Sequence, residues 1–215
     1  MQIRHTHILL ILTLLIAGQT LPARAQTDVA ASLLGAFSTA SNGSSTSQTA
    51  SSSAGVLLEG RHSFNSALSF ELTYSWQPVS ESYVSTVQIA GLCSPLPDCL
   101  YGPPSVSANA HTFTADWIPE KSTGKFRPFA VLGGGVALFV PTGGQSNTLS
   151  ATKPVFVFGL GTDWARWKRF GLRVQYRGNL YSAPLLTNQY LALFPSTGSL
   201  MLTNEPTLGM YYRWP

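Results

Sequence analysis

The chain has 215 residues, of which 10% are charged and 11% aromatic, with a formal net charge of +4. That length suits one domain, but the charge is far below the roughly 25% of an ordinary water-facing domain. Beyond the first eighteen residues no apolar run approaches the roughly 20 that a membrane helix needs. Helical spans are thereby excluded, and low charge without them points to a membrane β-barrel, which carries its apolar residues in alternation.

The first element is an export signal. "MQIRHTH" is a short basic stretch, "ILLILTLLIAG" an apolar core and "ARA" at Ala23 to Ala25 a small-x-small cleavage site. The expected domain organisation is a cleaved secretory signal over 1–25 and a mature barrel over 26–215. No Cys lies near the cleavage site, so no lipid anchor is expected there. Without Arg4 and Arg24, 11 basic residues face 9 acidic ones. The sequence pI near 9.2 therefore overstates the basicity, and no nucleic-acid patch is present.

The mature chain then alternates. "LSFELTYSW" at 68–76 sets Leu68, Phe70, Leu72, Tyr74 and Trp76 against Ser69, Glu71, Thr73 and Ser75. Such a two-residue period is a strand with one apolar and one polar face. Eight strands are expected: 28–40, 54–65, 67–78, 108–118, 126–140, 154–165, 170–181 and 206–214. Short connections ("NS" at 65–66, 119–125 and 166–169) alternate with long ones (41–53, 79–107, 141–153 and 182–205). Long and short connections on opposite ends, with an even strand number, are features of an outer-membrane barrel. The first long loop, "SNGSSTSQTASSS", is low in complexity and expected to be mobile. The second holds the two cysteines, Cys93 and Cys99. In an exported chain a loop disulfide between them is the expected state, stabilising by at most about 2 kcal/mol for so short a loop.

Alternation alone leaves open whether the apolar face looks inward, as in a soluble barrel, or outward into lipid. Three features choose the second. First, no expected strand contains a lysine: Lys121, Lys125, Lys153 and Lys168 all fall in connections. Arginines with carboxylates, which suit a packed ion-pair network, occupy the polar faces instead. They are Glu59, Arg61, Glu71, Asp116, Arg127, Asp163, Arg173, Arg177 and Arg213. Second, Trp117, Trp164, Trp167 and Trp214 fall near one rim, with Phe64, Phe126 and Phe170. Trp76, Phe139 and Tyr181 are expected near the other. Two aromatic girdles match a bilayer. Third, Gly133, Gly135, Ala137, Gly159 and Gly161 on the polar sides leave lumen room for the arginines. An arginine on the lipid side would cost roughly 2–4 kcal/mol near mid-membrane, so Arg173 and Arg177 belong in the lumen.

Three segments carry a family resemblance. "FRPFAVLGGGVALF" (126–139), "GLGTDWARWKRFGLRVQYR" (159–177) and "TLGMYYRW" (207–214) resemble strands of the small eight-stranded outer-membrane β-barrels, the family of OmpX and of the OmpA barrel domain. Over 28–118 the resemblance rests on the strand pattern. It implies an all-β, eight-stranded antiparallel up-and-down transmembrane barrel in a bacterial outer membrane. It also implies a monomer whose C-terminal strand is read by the assembly machinery. In that family the last strand usually ends on an aromatic; here Pro215 follows Trp214.

The glycine clusters complete neither G-x-G-x-x-G nor a Walker loop, so no nucleotide or other cofactor is expected. His62 and His111 are the only mature histidines. Small outer-membrane barrels that hydrolyse lipid A use a lipid-facing His/Ser pair. Here Thr112 lies on the opposite face from His111, Phe113 is no nucleophile and Ser107 is four residues away along a strand, so no enzyme is expected. An eight-stranded barrel is just wide enough to be filled by its own side chains. The expected function is therefore a barrel with a largely plugged polar lumen and a structural or surface-interaction role through its long loops. A narrow diffusion pore and a lipid-modifying enzyme are the alternatives.

Overall fold

The computed structural model describes residues 26–43, 46–85, 105–142, 148–187 and 197–214. The signal over 1–25 and the Cys93/Cys99 pair lie outside the described residues. Ten strands appear in chain order: β1 (Gln26–Ser38), β2 (Ser41–Gly43), β3 (Thr46–Ala50), β4 (Ser53–Ser63), β5 (Leu68–Ser85), β6 (Ser105–Pro119), β7 (Phe126–Pro141), β8 (Ala151–Trp164), β9 (Phe170–Ser182) and β10 (Leu200–Trp214). Eight of them, all but β2 and β3, form the wall. Each pairs antiparallel with its sequence neighbour, and β1 pairs with β10 to close the ring. The protein is an all-β, closed, eight-stranded up-and-down barrel.

The two-residue period sets what lies inside. On β5 the residues Glu71, Thr73, Ser75 and Gln77 are buried while Leu72 is exposed on the outer wall. On β9 Arg173, Gln175 and Arg177 are inside and Phe170, Val174 and Tyr176 outside. Leu33, Leu58, Leu132, Phe156, Leu160 and Leu208 complete an apolar exterior, which a bilayer can solvate and water cannot. The register aligns Glu71 with Arg61 across β4–β5 and with Asp116 across β5–β6. It also aligns Asp163 with Arg127 and with Arg173. Same-face neighbours on adjacent strands lie close enough for side chains to meet, so the strand register itself brings the charges together.

Several expectations need correction at the long-loop end. β5 runs to Ser85 rather than 78, and β10 starts at Leu200 rather than 206. The strands simply continue past the apolar band, where outward positions become Ser80, Ser82, Ser105 and Ser107 and the sequence reads as loop. The first long loop contains the hairpin β2–β3, and β3 extends the sheet along β5 (Ala50 opposite Glu81). Lys153 lies within β8, opposite Ala137 on the inward-facing positions, so one lysine does occupy a strand. Phe139 and Tyr181 are buried inside the barrel and belong to no girdle; their odd-numbered phase on β7 and β9 turns them inward.

Candidate functional site

Every wall strand contributes to an ionic cluster in the half of the lumen nearer the short turns. Asp28 comes from β1, Glu59 and Arg61 from β4, Glu71 from β5, Asp116 from β6, Arg127 from β7, Asp163 from β8, Arg173 and Arg177 from β9 and Arg213 from β10. Arg173 sits at its centre. Its Nε donates to Asp163 Oδ1 at 2.7 Å and its Nη2 to Asp28 Oδ1 at 3.0 Å. Its Nη1 lies 3.2 Å from Glu71 and 3.4 Å from Glu59. Arg61 holds Glu71 at 2.8 Å and approaches Asp163 at 3.4 Å. Arg177 donates to Asp116 at 2.7 Å and stands 3.4 Å from Glu71. Arg127 meets Asp163 at 2.8 Å, and Arg213 meets Asp28 at 3.2 Å. Gln175 donates to Glu59 at 2.6 Å.

Aromatic faces complete the cage. Arg61 lies 4.2 Å over the Phe129 ring and Arg213 5.0 Å over Tyr211, where a desolvated cation gains from the ring quadrupole. Two glycines make room: a Cβ on Gly133 would strike Asp116, and one on Gly161 would strike the Phe129 ring. The cluster reaches right across the barrel, linking β1 to β7 and β5 to β9. Its chemistry is that of a lock: each guanidinium faces carboxylates drawn from other strands.

The sequence reasoning placed Glu59, Glu71, Asp116 and Asp163 in the lumen and missed the other acids. All carboxylate side chains among the described residues are buried, Asp28, Glu81, Glu120 and Glu205 included. Glu120 lies 3.4 Å from Arg127 and accepts from Ser69 at 2.8 Å. The missing signal was phase: Glu81 shares the parity of Glu71, and Glu205 that of Thr207, two strands on which the alternation continues into stretches read as loop.

The half nearer the long loops is built differently. Val106, Ala108, Phe139, Val155, Val157, Tyr181 and Met201 form a buried apolar cluster there. Segment 183–187 folds over it. Leu186 is buried, its backbone N–H donates to Tyr83 Oη at 3.0 Å, and the Pro184 carbonyl accepts from Gln48 at 2.7 Å and Tyr83 at 3.1 Å. Gln48 also donates to Glu81 at 3.2 Å. The apolar outer band on β5 ends at Pro78, so Glu81 lies beyond the span; burial pushes its carboxyl up to about 7.

The expected girdle tryptophans sit as follows. Trp117, Trp164, Trp167 and Trp214 are exposed on the outside near the short turns, with Trp164 stacked on Phe126 at 6.2 Å and Trp117 edge-on to Phe70 at 5.7 Å. Trp76 is half-buried on β5, opposite His111 of β6. His111 shares a 3.0 Å hydrogen bond with Tyr74 Oη, and His62 one of 3.0 Å with Thr27.

No family model matches the sequence, and no curated protein matches it. Solved structures do. Neisserial surface protein A (NspA) superposes with a TM-score of 0.58 at 16% identity, covering 87% of this chain and 97% of that one. OprG, an outer-membrane protein of Pseudomonas aeruginosa, gives 0.56 at 13% identity over 88% and 96%. Ail, the attachment invasion locus protein of Yersinia pestis, solved with the heparin analogue sucrose octasulfate, gives 0.52 at 11% over 88% and 99%. The class is thus defined: the fold is that of the small eight-stranded outer-membrane β-barrels.

Proposed function

We propose that this chain is an integral barrel of a bacterial outer membrane, exported by a signal over residues 1–25, with a lumen closed to ions and a structural or surface-interaction role carried by its long external loops. The observation that supports a closed lumen is the Arg173 constellation. Its guanidinium bridges Asp28, Glu59, Glu71 and Asp163 from strands around the ring, with Arg61 and Arg177 packed against the same Glu71. An eight-stranded barrel so filled has little width left for a hydrated path. The long-loop end adds the 183–187 cover. In this reading no step of bond-making chemistry belongs to the chain, the short turns face the periplasm, and the barrel works as a monomer.

The decisive experiment is planar-bilayer conductance of the protein extracted from membranes and reconstituted. Verified insertion with no discrete current steps is the expected result. Stepwise, salt-dependent conductance would replace this reading with a narrow diffusion pore. Surface interaction through the loops has a parallel in Ail, whose structure holds a heparin analogue. Deleting 188–196 while keeping the barrel folded should remove whatever binding to cells that loop carries without changing insertion.

A further inference from the structure

The short-turn rim of the barrel carries a cluster of cations. Lys121, Lys125, Arg166, Lys168 and Arg169 are all exposed in the two turns 120–125 and 165–169. No described carboxylate side chain is exposed to balance them, because all are buried within the barrel. Among the described residues the collar is therefore uncompensated, and it sits at the level of exposed Trp117, Trp164, Trp167 and Trp214, the depth at which aromatic side chains meet lipid headgroups.

Two apolar grooves open on the outer wall under this collar. The first, about 390 Å³, lies beneath Lys121 and is lined by Ala67, Pro119, Pro128, Ala130 and Leu160. It exists because Pro119 has no N–H to give: the β6–β7 ladder breaks between the Trp117–Leu132 pair and the Glu120–Phe129 bridge. Glu120 also borders it, but its carboxylate is turned inward to Arg61 and Arg127. The second groove, about 770 Å³, has Ala31 and Gly60 as its small-residue floor, with Leu72, Met210, Phe170 and Tyr212 as walls. Arg169 Nη1 donates to the Tyr212 hydroxyl at 3.3 Å, which sets a cation at its edge.

We propose that the short-turn rim is a binding surface for anionic glycerophospholipid, with the phosphate on the cation collar and the upper part of an acyl chain in the grooves beside Lys121 and Arg169. This rests on the reading of the chain as a membrane barrel. Each cation near an anionic surface favours binding by about fivefold. Zwitterionic lipid offers the same chains without the net charge, so the collar distinguishes headgroups and the grooves alone do not.

The test uses the reconstituted full protein and tryptophan quenching by brominated phosphatidylglycerol against brominated phosphatidylcholine at equal mole fraction. The rim tryptophans are the reporters. The expected result is a preference of at least about fivefold for the anionic lipid. It should collapse at about 1 M salt, where the screening length is about 3 Å. It should also collapse in the Lys121→Gln, Lys125→Gln, Arg166→Gln, Lys168→Gln, Arg169→Gln variant and survive in Lys153→Gln, on the other end. Equal quenching by both lipids in an inserted barrel overturns the proposal and leaves the barrel reading intact. So does a preference that the collar variant keeps. Failure to insert, read by circular dichroism and protease resistance, overturns both.

Discussion

The two halves of the lumen solve the same packing problem with opposite chemistry. Near the short turns the interior is a lattice of guanidinium and carboxylate groups around Arg173; near the long loops it is Val157, Phe139, Tyr181 and Met201 under the 183–187 cover. In the ionic half every charge depends on a partner from another strand, so the half holds only if the ring is closed in register. The apolar half is tolerant, since any well-packed side chain of similar volume serves. The lesson is that the short-turn half defines the register of the barrel and the long-loop half adapts to whatever the loops require.

The sharpest way to break that contrast is to remove the central cation. Arg173→Ala leaves Asp28, Glu59, Glu71 and Asp163 buried together with one guanidinium fewer, and losing one partner of a buried ion pair costs about 3–5 kcal/mol. Urea unfolding in lipid vesicles should show a loss of that size. Arg173→Lys should recover only part, because a single ammonium cannot reproduce the fork that reaches Asp163 and Asp28 at once. An unchanged unfolding midpoint in Arg173→Ala would mean that the lattice is ornamental. In the apolar half Met201→Ala should cost about 2 kcal/mol, the lower end for such truncations, and Met201→Leu almost nothing. If Met201→Leu proved as damaging as Arg173→Ala, the supposed tolerance of the apolar half would be gone.

Much of this was readable from alternation. The phase of "FGLRVQYR" sends Arg173 and Arg177 inward whatever the neighbours do, and "LSFELTYSW" fixes Glu71 on the same side of the wall. What alternation could not give is which arginine meets which acid, because that depends on register between strands far apart in the chain. Arg61 and Asp163 are 102 residues apart and meet at 3.4 Å. The apolar upper lumen is hidden in the sequence for a different reason. Outward positions past the bilayer turn polar (Ser80, Ser82, Ser105), so strands that carry on look like loops; Phe139 and Tyr181 share the inward phase of Ala137 and Arg177, and only their place near the strand ends suggests a girdle. The collar was hidden by a global count: a mature charge near neutral conceals eight acids folded inside and five cations left outside on one rim.

A further contrast separates the two halves by pH. Glu81, beyond the bilayer span, is buried with Gln48 as its hydrogen-bond partner and no arginine within ion-pair reach among the described residues; burial raises its carboxyl from 4.5 to about 7. A folded-state value above the unfolded one means that the folded cover holds a proton the unfolded chain has released. The cover's stability is therefore greatest below about 4.5 and falls as pH rises to about 7, after which it levels off. Hydrogen exchange at Leu186, whose N–H is held by Tyr83, should report faster opening at pH 8 than at pH 5 once corrected for intrinsic rates. Glu81→Gln keeps the shape, removes the ionisation and should flatten that dependence. A pH profile unchanged in Glu81→Gln would place the titrating group elsewhere and remove Glu81 from the hold on the cover.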